Sequence, residues 1–155
     1  FYSSNFNINV NVARTFNLIG KGMSSLLSLS SFITQIQNAK DGDRIHVGNL
    51  ETKRDFLAIE DAISAYWKIL IYGKKGEIYN VCSGRSYCLR ALLDFLIEKS
   101  QKKLNVEVKR ERIKEKDVVD IFGDNAKLKK DTHWREENNI FAVLEEALAN
   151  GGKYV

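Results

Sequence analysis

Val47-Gly48-Asn49-Leu50-Glu51-Thr52-Lys53-Arg54-Asp55-Phe56 changes character twice within ten residues. It ends a strand pattern running from Arg44 to Leu50, with Ile45 and Val47 on one face. A polar turn follows. Arg54-Asp55 then leads into an apolar run whose period turns helical at Ile59. A helix is expected over Ile59–Ile71, with Ile59, Ile63, Tyr66, Trp67 and Leu70 as its buried stripe. Glu60 and Asp61 fall in its first turn, where they suit the positive end of the helix dipole. Strand, turn, charged pair and helix in that order point to an α/β protein that presents Arg54 on a loop between two rigid elements.

The flanking sequence repeats this alternation. Asn7 to Ala13 alternates Ile8, Val10 and Val12 with asparagines, a strand pattern. Leu26 to Asn38 has helical spacing at Leu26, Leu29, Phe32, Ile33 and Ile36. Lys40-Asp41-Gly42-Asp43 reads as a turn. Glu77 to Cys82 is a short strand. Ser86 is the expected N-cap of a helix from Tyr87 to about Gln101, with Leu89, Leu92, Leu93 and Leu96 inward. Val106 to Lys109 is a strand, Asn125 to Lys130 a short helix, and Ile140 to Ala149 a last helix capped by Gly151. These elements are too few and too short for a complete doubly wound dinucleotide domain.

The 155 residues suffice for one domain with its own core. No apolar run approaches the roughly 20 residues of a membrane helix. Phe1-Tyr2-Ser3-Ser4-Asn5 lacks the basic and apolar regions of a signal peptide. Cys82 and Cys88 form neither a disulfide framework nor a metal-ligand spacing, so a reducing cytoplasm is expected and no metal. The net charge is +4. The basic residues between Lys99 and Lys130 are interleaved with Glu107, Glu111, Glu115, Asp117 and Asp120, which argues against a nucleic-acid face. The same mixture suits the lining of a pyrophosphate site.

No strand is followed by a Gly-x-x-Gly-x-x-Gly turn, so the dinucleotide fingerprint is absent. No Tyr is followed four residues later by Lys. Gly20-Lys21-Gly22-Met23-Ser24 lacks phosphate-loop spacing. His46 and His133 read as packing residues, Cys82 and Cys88 as small buried apolar groups, and Arg85 as facing solvent or a partner. No catalytic residue is assigned.

Three segments together carry a resemblance: Arg14-Thr15-Phe16-Asn17-Leu18-Ile19-Gly20, Val47 to Phe56, and Gly76-Glu77-Ile78-Tyr79-Asn80-Val81-Cys82-Ser83-Gly84. They resemble the C-terminal, substrate-binding part of the extended short-chain dehydrogenases (the NAD-dependent epimerase/dehydratase family) that act on nucleotide sugars. Within that family the chain is most similar to the GDP-mannose 4,6-dehydratases and GDP-4-keto-6-deoxy-mannose reductases. The resemblance runs from about Asn7 to Gly151. It implies a small mixed α/β substrate-binding domain over residues 20–155. Residues 1–19 would be the tail of a cofactor-binding Rossmann domain, with one strand left over from it. The Tyr and Lys that transfer protons in the family precede that strand.

The resemblance also assigns a site. Asn17 reaches the substrate's phosphate or sugar. Leu27 and Ser28 lie beside the nucleotide base. Arg54 is a phosphate ligand, and Asp55 holds the loop or caps the helix. Arg112 or Lys114 clamps the diphosphate, and Asp117 binds the ribose hydroxyls. Several positions depart from the family, Leu27-Ser28 standing where it has Phe-Val and Glu115 where it has Pro. Lys114 stands where the family has Arg, and an ammonium neutralises phosphate without the paired fork of a guanidinium. Leu18 replaces a His, Lys21 a Pro, and Ser31 a Lys or an acid. From the residues alone, Arg54 has a second option in an ion pair with Asp61 or Glu60. The run from Arg112 to Asp117 has one as an exposed strand end.

The expected ligand is a nucleotide sugar, a GDP sugar before others, and no nucleic acid or membrane. The full-length enzyme would be NADP- or NAD-dependent and homodimeric, while the chain alone would hold no cofactor and catalyse nothing. The competing expectation is a non-enzymatic α/β interaction domain that kept the fold and lost the chemistry.

Overall fold

The apolar period at Leu29, Phe32, Ile33 and Ile36 folds as helix α1, Ser28–Asn38, and all four side chains are buried. The computed structural model of the chain describes residues 5–6, 8–24, 26–113 and 117–150, without the Arg112 side chain. Before α1 come strands β1, Val12–Thr15, and β2, Asn17–Ile19. After it come β3, Arg44–Val47, β4, Lys53–Arg54, and β5, Phe56–Ala58. Helix α2 spans Ile59–Tyr72, strand β6 Ile78–Val81, strand β7 Tyr87–Cys88 and helix α3 Leu89–Ser100. Strand β8, Asn105–Val108, runs into a 3-10 turn at Arg110–Arg112. Strand β9, Asp120–Ile121, and helices α4, Ala126–Thr132, and α5, Ile140–Ala149, complete the mixed α/β architecture.

The strands form small ladders. β1 runs parallel to β6, with Val12 opposite Ile78. β2 runs parallel to β5, with Asn17 opposite Phe56, and β3 parallel to β8, with His46 opposite Glu107. β4 lies between β7, antiparallel, and β9, parallel. Parallel neighbours need long crossovers, which the helices supply. One crossover is pinned by a side chain. Gln35 on α1 donates from Nε2 to the His46 carbonyl at 3.1 Å, and its Oε1 accepts from His46 N at 2.8 Å. An amide in that role stands in for a neighbouring strand along the edge of β3.

Two apolar clusters hold the elements. The larger joins α1, β3, α3 and α5 through Phe32, Ile36, Ile45, Leu92, Leu96 and Leu144. The inward set of α3 is Leu89, Leu92, Leu93 and Leu96, as its spacing predicts. The smaller cluster packs α2 and α4 on β6 through Ala62, Ala65, Ile69, Tyr79, Leu128 and Trp134. Trp134 Nε1 donates to the Asp61 carbonyl at 3.1 Å. The Asp61 carboxylate accepts from Glu137 N and Asn138 N, both at 3.0 Å, and so ties the segment before α5 to the start of α2.

Several sequence expectations shift. The first strand lies at Val12–Thr15, not Asn7–Ala13; residues 8–11 are not in a strand, and Asn7 lies outside the described residues. Ile8, Val10 and Val12 are exposed, because nothing among the described residues covers that face. The buried stripe of α2 is Asp61, Ala62, Ala65 and Ile69. Ile63, Tyr66, Trp67 and Leu70, expected inside, are exposed, with Trp67 at 61%. Alanines let the helix approach the sheet closely, and the larger residues are left outward. The α3 N-cap is Cys88 rather than Ser86, whose hydroxyl donates to Asp120. His133 is an exposed residue with φ 55° at the end of α4, not a packing residue. Arg85 does face solvent as expected, with its guanidinium paired to Glu136 at 2.5 Å. The proposed cap at Gly151 lies outside the described residues.

Candidate functional site

Arg54 sits on the central strand of the β7–β4–β9 ladder. The ladder fixes its backbone: Lys53 N donates to Val119 O at 2.7 Å and Asp55 N to Ile121 O at 2.9 Å. Its guanidinium turns toward the segment entering β9. Nη1 donates to the carbonyls of Lys53 and Val118, each at 2.7 Å. Nη2 donates to Asp117 Oδ1 at 2.7 Å. The ion-pair partner is therefore Asp117, sixty-three residues away, and not Asp61 or Glu60. Both side chains are largely shielded from water, at 18% and 25% exposure.

Asp55, the next residue, is fully buried. Oδ1 accepts from Ser83 N and Ser83 Oγ, both at 2.8 Å. Oδ2 accepts from Gly84 N at 3.0 Å and Gly123 N at 3.2 Å. A carboxylate holding that many donors stays buried without a cation. It locks the turn after β6 and the turn after β9 to the strand that carries Arg54. Asp55 therefore holds the loop and does not cap α2. Gly123 has to be glycine for this, since a Cβ would stand 2.5 Å from Cys82 Sγ and 2.8 Å from Phe16 Cζ. Burial and the nearby Asp55 charge push the Cys82 thiol up to about 11, so it is an inert packing group.

These elements wall a cavity of about 690 Å³. Asn17, Leu27, Ser28, Arg54 and Asp117, all singled out in the sequence, line it together. Asn17 Nδ2 donates to the Asp55 carbonyl at 2.9 Å, which fixes its side chain at the mouth of β2. Lys114 lies outside the described residues, as does the Arg112 side chain. The lining also includes residues to which the sequence assigns no ligand role: Met23, Phe32, His46, Asn49, Thr52 and Glu111. His46 was read as packing, yet it is only half-buried and its Nδ1 stands 3.7 Å from Glu107. A lining that mixes apolar Leu27, Phe32 and Phe56 with Arg54, Asn49 and Ser28 suits a ligand with an apolar part and an anionic part.

A dinucleotide cradle needs glycines at the junction of a strand with a helix N-terminus. Gly20 and Gly22 follow β2, but α1 starts only at Ser28. The described residues therefore lack that cradle. Among them no three His, Cys, Asp or Glu side chains converge as metal ligands. No helix of theirs is long and apolar enough to cross a membrane.

The chain is similar to known proteins along most of its length. The family model described as GDP-mannose 4,6 dehydratase matches residues 1–147. GDP-6-deoxy-D-mannose reductase of Pseudomonas aeruginosa is 34% identical over 142 residues, which cover 90% of this chain and 47% of that protein. The structure of RMD from Pseudomonas aeruginosa complexed with NADPH superposes with a TM-score of 0.86 at 32% identity, over 96% of this chain and 50% of that one. A putative epimerase from Burkholderia cenocepacia superposes with a TM-score of 0.82 at 25% identity, again over half its length. The chain thus spans about half the length of the relatives it matches. Arg54 lies on a strand rather than the expected loop, and by these matches the chain belongs to the GDP-mannose 4,6 dehydratase family, among the extended short-chain dehydrogenases.

Proposed function

We propose that this chain is the C-terminal, substrate-binding portion of a nucleotide-sugar dehydratase, epimerase or reductase, with GDP-mannose 4,6-dehydratases as the nearest type. The carrying observation is the convergence of Arg54, Asn17, Ser28, Leu27 and Asp117 on one cavity of about 690 Å³. Arg54 supplies the charge and the planar donors that phosphate oxygens require. Leu27 and Ser28 border the base, and Asn17 the phosphate or sugar. The reading also assigns the diphosphate clamp to Arg112 or Lys114; Lys114 and the Arg112 side chain lie outside the described residues.

In this reading residues 20–155 form the substrate domain, and residues 1–19 belong with a cofactor-binding domain that carries NADP or NAD and the proton-transfer pair. The whole protein is then a cytoplasmic, homodimeric enzyme of nucleotide-sugar and polysaccharide metabolism, a lyase if it follows the dehydratases. The exposed outer face of α2 supports this division, because Ile63, Trp67, Leu70 and Ile71 need a cover. Thr15 of β1 and Tyr66 of α2 meet at 2.8 Å between hydroxyls, which joins the start of the chain to that face.

The test is calorimetric titration of the chain with GDP, UDP and dTDP and their sugars. GDP ligands should bind best. Arg54→Ala should weaken them at least about tenfold, since hydrogen bonds to charged groups contribute about 1.5–3 kcal/mol. Binding that ignores Arg54→Ala would refute the assignment, and turnover of GDP-mannose by this chain alone would refute its role as a binding half.

A further inference from the structure

We propose that Asp117 is a positioning residue for Arg54, aiming one edge of its guanidinium at the ligand phosphate. The proposal rests on the reading of Arg54 as a phosphate ligand. It differs from the family-based expectation in which Asp117 acts through ribose hydroxyls.

A guanidinium has five N–H donors. In Arg54 both Nη1 donors are held by the Lys53 and Val118 carbonyls, and one Nη2 donor by Asp117. Nε has no partner among the described residues, and Nη2 keeps one N–H. By the geometry of the group, Nε–H and Nη2 flank the same side of the plane. That side is the fork that two oxygens of one phosphate fit. The three bonds fall on Nη1 and Nη2 and leave Nε–H and one Nη2 N–H.

The anchoring atoms are themselves fixed. Val118 and Asp117 lie just before Val119 and β9, whose ladder with β4 sets Arg54 opposite Ile121. Lys53 O belongs to the same strand as Arg54. Of the three anchors only Asp117 is a side chain and only Asp117 is charged. Without it, only two neutral carbonyls on Nη1 hold the guanidinium, and no charged group fixes the Nη2 end.

The sign of the effect separates the possibilities. A carboxylate close to a bound phosphate repels it. If Asp117 only contacts ribose, or is only a neighbour, removing its charge leaves pyrophosphate binding unchanged or tighter. If it aims Arg54, removal weakens pyrophosphate, which has no ribose.

The experiment titrates wild-type chain, Asp117→Asn, Asp117→Ala, Arg54→Ala and the Arg54→Ala/Asp117→Ala double variant with pyrophosphate and with GDP. The expected result is a loss of about tenfold for both ligands in each Asp117 variant, and no further loss on the Arg54→Ala background. NMR of the Arg54 guanidinium, in the absence of ligand, gives an independent readout. Its Nη resonances should be resolved in wild type and collapse in Asp117→Asn as rotation is released. Unchanged or tighter pyrophosphate binding with weaker GDP binding would overturn the inference and leave the phosphate reading standing. So would Nη resonances that are indifferent to Asp117→Asn. No pyrophosphate or GDP binding by the wild-type chain would overturn both.

Discussion

Ser83 gives Asp55 two hydrogen bonds to a single carboxylate oxygen, one from its amide and one from its hydroxyl, both 2.8 Å long. With Gly84 and Gly123 on the other oxygen, the carboxylate closes two turns onto β4. Asp55→Asn sets an NH2 group against donors that now bind a carboxylate oxygen. We expect a loss of about 3 kcal/mol in stability, in the range for charged hydrogen bonds lost in a buried site. Urea unfolding monitored by circular dichroism measures it. Nucleotide affinity should fall too, because Arg54 rides on the same strand. A midpoint unchanged from wild type would show that the turns are held by their own backbone geometry.

Gly123 permits the second of those turns. Gly123→Ala drives a methyl toward Cys82 Sγ and the Phe16 ring. Overpacking of this kind costs about 1–3 kcal/mol. Adding Cys82→Ala removes the nearer obstacle and should recover part of the loss, but not all, since Phe16 Cζ would remain 2.8 Å from the new methyl. A double variant no more stable than Gly123→Ala alone would place the strain on Phe16.

How legible this was depended on the range of the interactions involved. Helices α3 and α5 follow from local period, because one face of each is apolar and meets a cluster assembled by neighbouring elements. Helix α2 was legible as a helix, but its inward face was not. It is apolar nearly all round, so period alone selected Trp67 and Leu70 over Ala62 and Ala65. Strands β4, β7 and β9 have two residues each and no period to read. Arg54 stood out by chemistry, and Asn17, Ser28 and Asp117 by resemblance. That Arg54 meets Asp117 depends on the β4–β9 ladder, which no local pattern announces.

Glu136 supplies a pH dependence of unusual sign. Burial raises its carboxyl above the ordinary 4.5, with opposition from Arg85 and reinforcement from Asp61 and Asp55. The native state therefore binds more protons at this site than the unfolded chain does, above about pH 4.5. Stability from this group falls as pH rises through that window. Asp131 works the other way, held below 3.8 chiefly by its hydrogen bond from Lys74, and its contribution is lost only in more acidic solution. Glu136→Gln should accordingly gain on wild type between pH 4 and pH 7, read from unfolding midpoints at each pH. A variant that loses ground over that interval would mean that pairing with Arg85 outweighs the burial.

Trp67 and Trp134, the chain's two tryptophans, report on opposite surfaces. Trp134 is 1% exposed beneath α2, and Trp67 stands on that helix's outer face. In the chain alone, acrylamide should quench Trp67 and spare Trp134, and Trp67→Phe should remove most of the quenching. Trp67→Glu should change the chain's stability by less than about 0.5 kcal/mol, as exposed substitutions do. If a cofactor-binding domain covers the face, Trp67 becomes protected when this chain is studied within a protein of its relatives' full length. The same Trp67→Glu change then becomes costly, because it buries a charge without a partner. Equal quenching in both contexts would leave the face uncovered and require the cofactor-binding domain to dock elsewhere. A helix with Ile63, Trp67, Leu70 and Ile71 outward and alanines inward makes that second arrangement the harder one to build, since it keeps a large apolar surface in water.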